Sequence, residues 1–326
     1  MGDRNLGRDV FFYSATNPDE PLGGLISNPS ISVKNFLSML EILVVASHRY
    51  SVSKRDTGAV LIPTEEVLRP GKYDIMLYSR KGTMYITAEP CIARMYSSSV
   101  TGRNEQFKTQ VRERDGKCVI TGSVNSRAYK GLWRGFEAAH VFPLRSEDIF
   151  IAQGLSRWIT NRVDDRDTGI NSCQNGLLML SHIHRLFDGF EFSINPDDDY
   201  KIICFNEDPL GLGGGRLDPI CRDPGNEQSV RYELLRWHFR QAVFANMRGA
   251  GEAQSGTDSP PGPDVVGVAL KGPEPANSMG AEIFLTINWS ISNKRSLYTK
   301  YIITCNLSEQ KTMTDKPVLI QVLAYC

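Results

Sequence analysis

Three of the chain's five histidines fall within a short stretch. His140 closes Phe136-Glu137-Ala138-Ala139-His140-Val141-Phe142-Pro143, a run that reads as a strand. Asn175 opens Asn175-Gly176-Leu177-Leu178-Met179-Leu180, and Ser181-His182-Ile183-His184-Arg185-Leu186-Phe187-Asp188 follows with helical spacing. A neutral imidazole can accept a proton near physiological pH. A histidine and an aspartate four residues apart share one helix face, so His184 and Asp188 could grip one ion together. His182 and His184 are two apart and point away from each other. His182 is therefore expected to be a surface or supporting group. Phosphodiester hydrolysis draws on such a set: a deprotonated water, stabilised charge on the phosphate, and a base held in the right tautomer.

Arg114-Asp115-Gly116-Lys117-Cys118-Val119-Ile120-Thr121-Gly122, Ala138-Ala139-His140, Asn175-Gly176-Leu177-Leu178 and His184-Arg185-Leu186-Phe187-Asp188 together resemble the HNH (ββα-metal) endonuclease-like family common in filamentous fungi. The resemblance is strongest over residues 110–205. It extends loosely to the N-terminal unit and to the Leu234–Val243 helix, and ends by about residue 285. It implies a hairpin packed on one helix, with His140 as general base and Asn175 as the orienting asparagine. It also implies His184 as a metal ligand, with Asp188 and Glu137 as further candidate ligands for one divalent ion (magnesium, manganese or zinc). DNA is the implied substrate, with Arg185, Lys117 and Arg145 as candidate phosphate contacts.

The chain departs from the family pattern at three places. Ala139 stands where many HNH sites carry a ligand just before the base histidine, and Glu137 is the acid on the same strand face. The zinc knuckle is absent: Cys118 has Thr121 where the next ligand would stand, so Cys118 is expected to be an ordinary half-buried thiol. The insert between His140 and Asn175 is long and carries Arg157, Trp158, Arg162 and Arg166 with Asp164, Asp165 and Asp167. Two other classes of function follow from these departures. The scaffold could serve small-molecule chemistry, such as a cyclisation in fungal secondary metabolism, with His140 as acid or base and Trp133, Phe142, Phe150 and Trp158 as pocket walls. A non-catalytic interaction protein could use the N-terminal unit to recruit a partner.

The elements that must position these residues read as an α+β fold in three parts. Residues 1–100 predict a small β-grasp-like sheet unit. Its expected elements are strands at 9–14, 22–26, 59–62 and 73–78, a turn at 17–21, a helix over 32–46 capped by Ser32, and a short helix at 63–68. Residues 101–249 predict the ββα-metal domain with added helices. One spans 103–115, where Arg103, Lys108, Arg112 and Arg114 form a solvated or phosphate-contacting face. Another spans 228–248 and is closed by Gly249. His238 on that helix is expected to be packed or at the surface. The Gly- and Pro-rich stretch 206–226 reads as a loop and lacks the lysine of a phosphate loop. Residues 250–326 predict a Pro/Gly-rich arm and a C-terminal segment of unassigned role, with apolar runs at 283–287 and 318–322.

Lysine plus arginine equals aspartate plus glutamate, 37 each, so any nucleic-acid footprint must be a local patch. Seven scattered cysteines with no C-x-x-C pair argue against a disulfide scaffold and for reduced thiols. The N-terminus lacks a signal-type apolar region, and the apolar stretch near 36–46 is too short and polar to cross a bilayer. The expected location is intracellular, in cytoplasm or nucleus, without membrane association.

Overall fold

The computed structural model describes residues 6–249, apart from 93, 95–101, 163 and 165. The expected arm and C-terminal segment from residue 250, and Asp165 of the insert, lie outside the described residues.

The N-terminal part begins with the hairpin β1 (Val10–Ser14) and β2 (Asn17–Leu25). Helix α1 (Val33–Leu43) follows, then β3 (Val44–Ala46), β4 (Tyr50–Lys54), β5 (Gly71–Leu77) and β6 (Met84–Ile86). The main sheet has the order β2-β1-β5-β4. β1 and β5 run parallel (Phe12 beside Tyr73), and the other neighbours are antiparallel. Alternate residues Val10, Phe12, Val52, Tyr73 and Ile75 turn inward and pack on Phe36, Met39, Leu40 and Leu43 of α1. Ser32 caps α1 through a box with Asn35 at 3.2 Å.

Three expectations in this unit fail. Residues 17–21 are not a separate turn: they belong to β2, which accommodates them by register shifts opposite Tyr13 and Ser14. Residues 63–68 form no helix. Their carbonyls are needed elsewhere, because Thr64 and Glu66 accept hydrogen bonds from the backbone amides of Lys34 and Val33 at 3.0 and 2.8 Å. Those amides are orphan donors of the first turn of α1, and satisfying them keeps 63–68 out of a helix. Similarly, residues 59–62 form only an isolated bridge from Val60 to Ser53.

The second part starts with α2 (Gly102–Asp115), followed by a long loop to β7 (Phe136–His140). After α3 (Glu147–Ala152) comes β8 (Gly176–Leu180), antiparallel to β7, with His140 opposite Gly176 and Ala139 opposite Leu177. β8 runs straight into α4 (Ser181–Asp188). The hairpin β9 (Phe192–Asn195) and β10 (Lys201–Cys204) and the long α5 (Tyr232–Met247) complete it. Gly176 is required by packing: a Cβ there would lie 2.6 Å from Phe107 and Val111 of α2.

α5 is buried on nearly every side, as an apolar helix between two cores should be. Leu234, Leu235 and Trp237 enter the core around β8 and α4. Phe239, Val243, Phe244 and Met247 enter the core of the N-terminal sheet. Gly23 of β2 lies so close to this helix that a Cβ would meet the Met247 carbonyl at 2.0 Å. Gly249 follows the helix at φ +40°, a conformation glycine adopts cheaply. Among the described residues no helix is long and apolar enough to cross a membrane.

Candidate functional site

β7 ends at His140, half-buried, with its ring stacked on Phe107 of α2 at 3.9 Å and 9°. Its Nε2 lies 3.3 Å from Asn171 Oδ1. Burial, helped by the nearby Arg94 charge, lowers its pKa to about 4 and outweighs the hydrogen bond to Asn171. His140 is therefore neutral at physiological pH, the form that accepts a proton.

Asn175 is fully buried just before β8. Its Oδ1 accepts from the Phe142 amide at 2.7 Å, and its Nδ2 donates to the carbonyls of Phe142 (3.1 Å) and Ile170 (2.9 Å). The Val141 amide donates to the Asn175 carbonyl at 2.8 Å. Asn175 thus clips the chain leaving His140 onto the start of β8. It orients the strand exit, while the imidazole itself is met by Asn171.

α4 begins at Ser181, so His182 and His184 do point apart. His182 is exposed, and His184 turns toward β7. His184 Nδ1 lies 2.7 Å from Glu137 Oε2, and its Nε2 lies 3.2 Å from Asp188 Oδ2. Burial alone would lower the His184 pKa, but the two carboxylates override it and raise it to about 9. His184 is an imidazolium bridging two acids. The hydrogen bond from His184 lowers the Glu137 pKa. Burial would raise that of Asp188, yet Arg94 and His184 hold it well below the usual carboxylate range.

Arg94 has no counterpart in the sequence-based expectations. Its buried guanidinium meets Asp188 at 2.8 Å and donates to the carbonyls of His140 and Val141. It joins the acid of α4 to the end of β7. Nothing in the local sequence marks it, because its partners lie far along the chain. Asn171, inside the insert, escaped notice for the same reason.

HNH domains generally use one divalent metal. Glu137, His184 and Asp188 have the donor chemistry for one, but as arranged they do not converge. The two carboxylates sit against different ring nitrogens of His184, which face different sides of the imidazole. Asp188 is further committed to Arg94. Among the described residues no group of three acids, histidines or cysteines is arranged to hold an ion.

The remaining candidates separate. Lys117 is paired with Asp218 at 2.7 Å, while Arg145 and Arg185 are exposed. Arg114 does not face solvent: it is buried against Asp115 at 2.6 Å and donates to the carbonyls of Cys173, Gly176 and Gln228. Cys118 is fully rather than half buried, and His238 is packed between Ser193 and the Phe187 carbonyl. The four aromatic residues considered as pocket walls have different surroundings. Phe142 and Phe150 are core neighbours at 5.1 Å, Trp133 lies under Arg112, and Trp158 lies under Arg157.

Comparison with protein families matches residues 118–195 to the family described as HNH endonuclease. Residues 7–81 match a domain of unknown function (DUF8573). A comparison with curated proteins returns no match.

Proposed function

From an HNH-type unit built on β7, β8 and α4, we propose that this chain hydrolyses phosphodiester bonds, with DNA as the substrate class. One observation carries the reading. His140 at the end of β7, Asn175 at the entry to β8 and His184 on α4 fall on one antiparallel hairpin capped by one helix, within the segment that resembles HNH endonucleases. His140, neutral and held by the Asn175 clip, is the base that takes a proton from the attacking water. His184 and Arg94 are balanced by Glu137 and Asp188, so this cluster fixes the geometry around His140 and adds no net charge. No step is assigned to a metal, since His184 is committed as a bridge between Glu137 and Asp188. Arg185 and Arg145 are the exposed cations assigned to phosphate. The N-terminal sheet is read as a β-grasp-like module. Its order β2-β1-β5-β4, with the first and last strands of the unit's hairpin-helix-strand path parallel at the centre, supports this.

A plasmid-nicking assay tests the reading, run with magnesium, manganese, zinc and chelator. Wild type is expected to nick. His140→Ala is expected to lose about 100-fold or more of the rate, the usual scale of a positioned base. Equal nicking by His140→Ala, or none by wild type under any condition, would sink it.

A further inference from the structure

Between Asp115 and Glu137 the chain carries Lys117, Arg127, Lys130 and Arg134 and not one acidic residue, in a protein whose total charge balances to zero. Lys117 is spent on Asp218. The other three lie on the loop that feeds β7. Arg127, Lys130 and Arg134 are exposed, and neither arginine has an ion-pair partner among the described residues. By contrast Arg55, Arg94, Arg216, Arg236 and Arg240 are among the arginines of this chain that are each paired with a carboxylate. Arg127 and Arg134 line one open cleft of about 430 Å³, together with Val124, Asn125, Leu132 and Phe136.

The loop is held in shape. Asn125 Nδ2 donates to the Leu132 carbonyl at 2.8 Å and closes the neck. Asn125 Oδ1 accepts from the Arg127 amide at 3.0 Å. Gly131 turns the chain at φ +68°, and the Ser181 amide of α4 donates to the Gly135 carbonyl at 3.0 Å. The backbone that carries the two guanidiniums is thus preorganised, so binding need order only their side chains. Tyr129 is exposed beside Lys130, with the ammonium 5.4 Å from its ring.

We propose that this cleft is a subsite for the phosphodiester backbone of DNA, with Arg127 and Arg134 as its phosphate contacts. The chemistry is that of an unpaired, forked cation pair beside polar and aromatic groups, which suits phosphate oxygens. Phe136 is both a wall of the cleft and the first residue of β7, directly before Glu137. From Phe136 to His140 the strand advances about 13 Å. At about 3.4 Å per base-pair step, the cleft would hold backbone on the order of four steps from a phosphate at His140. The assignment rests on the nuclease reading for its choice of substrate, but its test does not need cleavage.

Fluorescence anisotropy would measure full-length protein binding to labelled duplex and single-stranded DNA in chelator across a salt series. The proteins are wild type, R127A/R134A and R127K/R134K. Both arginines are exposed, so the variants should fold, and a thermal melt checks this. Removing two phosphate contacts should flatten the slope of log K against log salt by about 1.8 for duplex. Affinity at low salt should fall at least about tenfold, and the lysine variant should restore most of the slope. An unchanged slope and affinity in R127A/R134A, or no binding of either DNA by folded wild type, would overturn the assignment. Wild type that binds through these arginines yet never nicks plasmid keeps the subsite and removes the nuclease reading. Wild type that nicks, with R127A/R134A binding normally, does the reverse.

Discussion

His140 and His184 sit in one small unit and hold different charge states, one neutral and one positive. Burial against Phe107 keeps His140 neutral with a pKa near 4, while Glu137 and Asp188 keep His184 protonated with a pKa near 9. The consequences for stability have opposite signs. His184 binds its proton more tightly folded than unfolded. Its contribution is full below pH about 6.5 and is lost as pH rises through about 9. His140 binds its proton less tightly when folded. Its contribution is present above pH about 6.5 and is lost as pH falls toward about 4. Denaturant unfolding measured against pH in chelator should therefore show an alkaline decline that is flatter in His184→Gln. An identical decline in wild type and variant would contradict the bridge. The Asn175 clip makes a prediction of the same scale. Asn175→Ala leaves the Phe142 amide and two carbonyls without partners and should cost about 1–3 kcal/mol in urea unfolding.

The elements that hold these side chains are tied together from behind. Arg114 and Asp115 close α2 onto β8: Arg114 reaches the Gly176 carbonyl at 2.7 Å, and Asp115 accepts from the Leu178 amide at 2.8 Å. Both side chains are fully buried, so removing one strands the other's charge. Asp115→Ala is expected to destabilise by about 3–5 kcal/mol, and R114M/D115L to recover part of that loss. A near-neutral Asp115→Ala in chemical denaturation would mean that the pair does not position β8. The same pair shows why charge on a helix is ambiguous in a sequence. Arg112 and Arg114 look equivalent along α2, yet Arg114 turns into the core because a carboxylate and three carbonyls await it there.

Among the described residues, α5 packs into both of the larger cores. Glu89 and Ile92 meet the same helix, Glu89 bonded to Arg240 and the Ile92 amide to Gln241, and Arg94 reaches Asp188. Packing of one helix into both cores couples their stabilities. Phe244 is fully buried against the N-terminal sheet, and Phe244→Ala should cost about 3–5 kcal/mol. In a Trp289→Phe background Trp133, Trp158 and Trp237 report the second part, while tryptic cleavage within residues 6–92 reports the first. The two probes should lose structure at the same denaturant concentration in wild type and in the variant. Separate transitions would show that α5 does not transmit the loss.

Patterns that depend on near neighbours were legible without coordinates. The period of α1 and its Ser32 cap, the apolar run of β8, the i,i+4 placement of His184 and Asp188, and the His140, Asn175 and His184 order follow from backbone geometry and spacing. The acid-free charge run through Arg127 and Arg134 gains meaning only where the cleft forms. What needed the tertiary structure is set by distant partners. Residues 63–68 are not helical because α1 requires their carbonyls. Arg114 is buried because β8 meets it. Arg94 joins the site from a segment far from it in the chain. Glu137 and Asp188 approach different nitrogens of His184, because β7 lies on one side of the ring and the next turn of α4 on the other. Helix spacing puts two ligands on one face, but only packing decides whether they meet at one point.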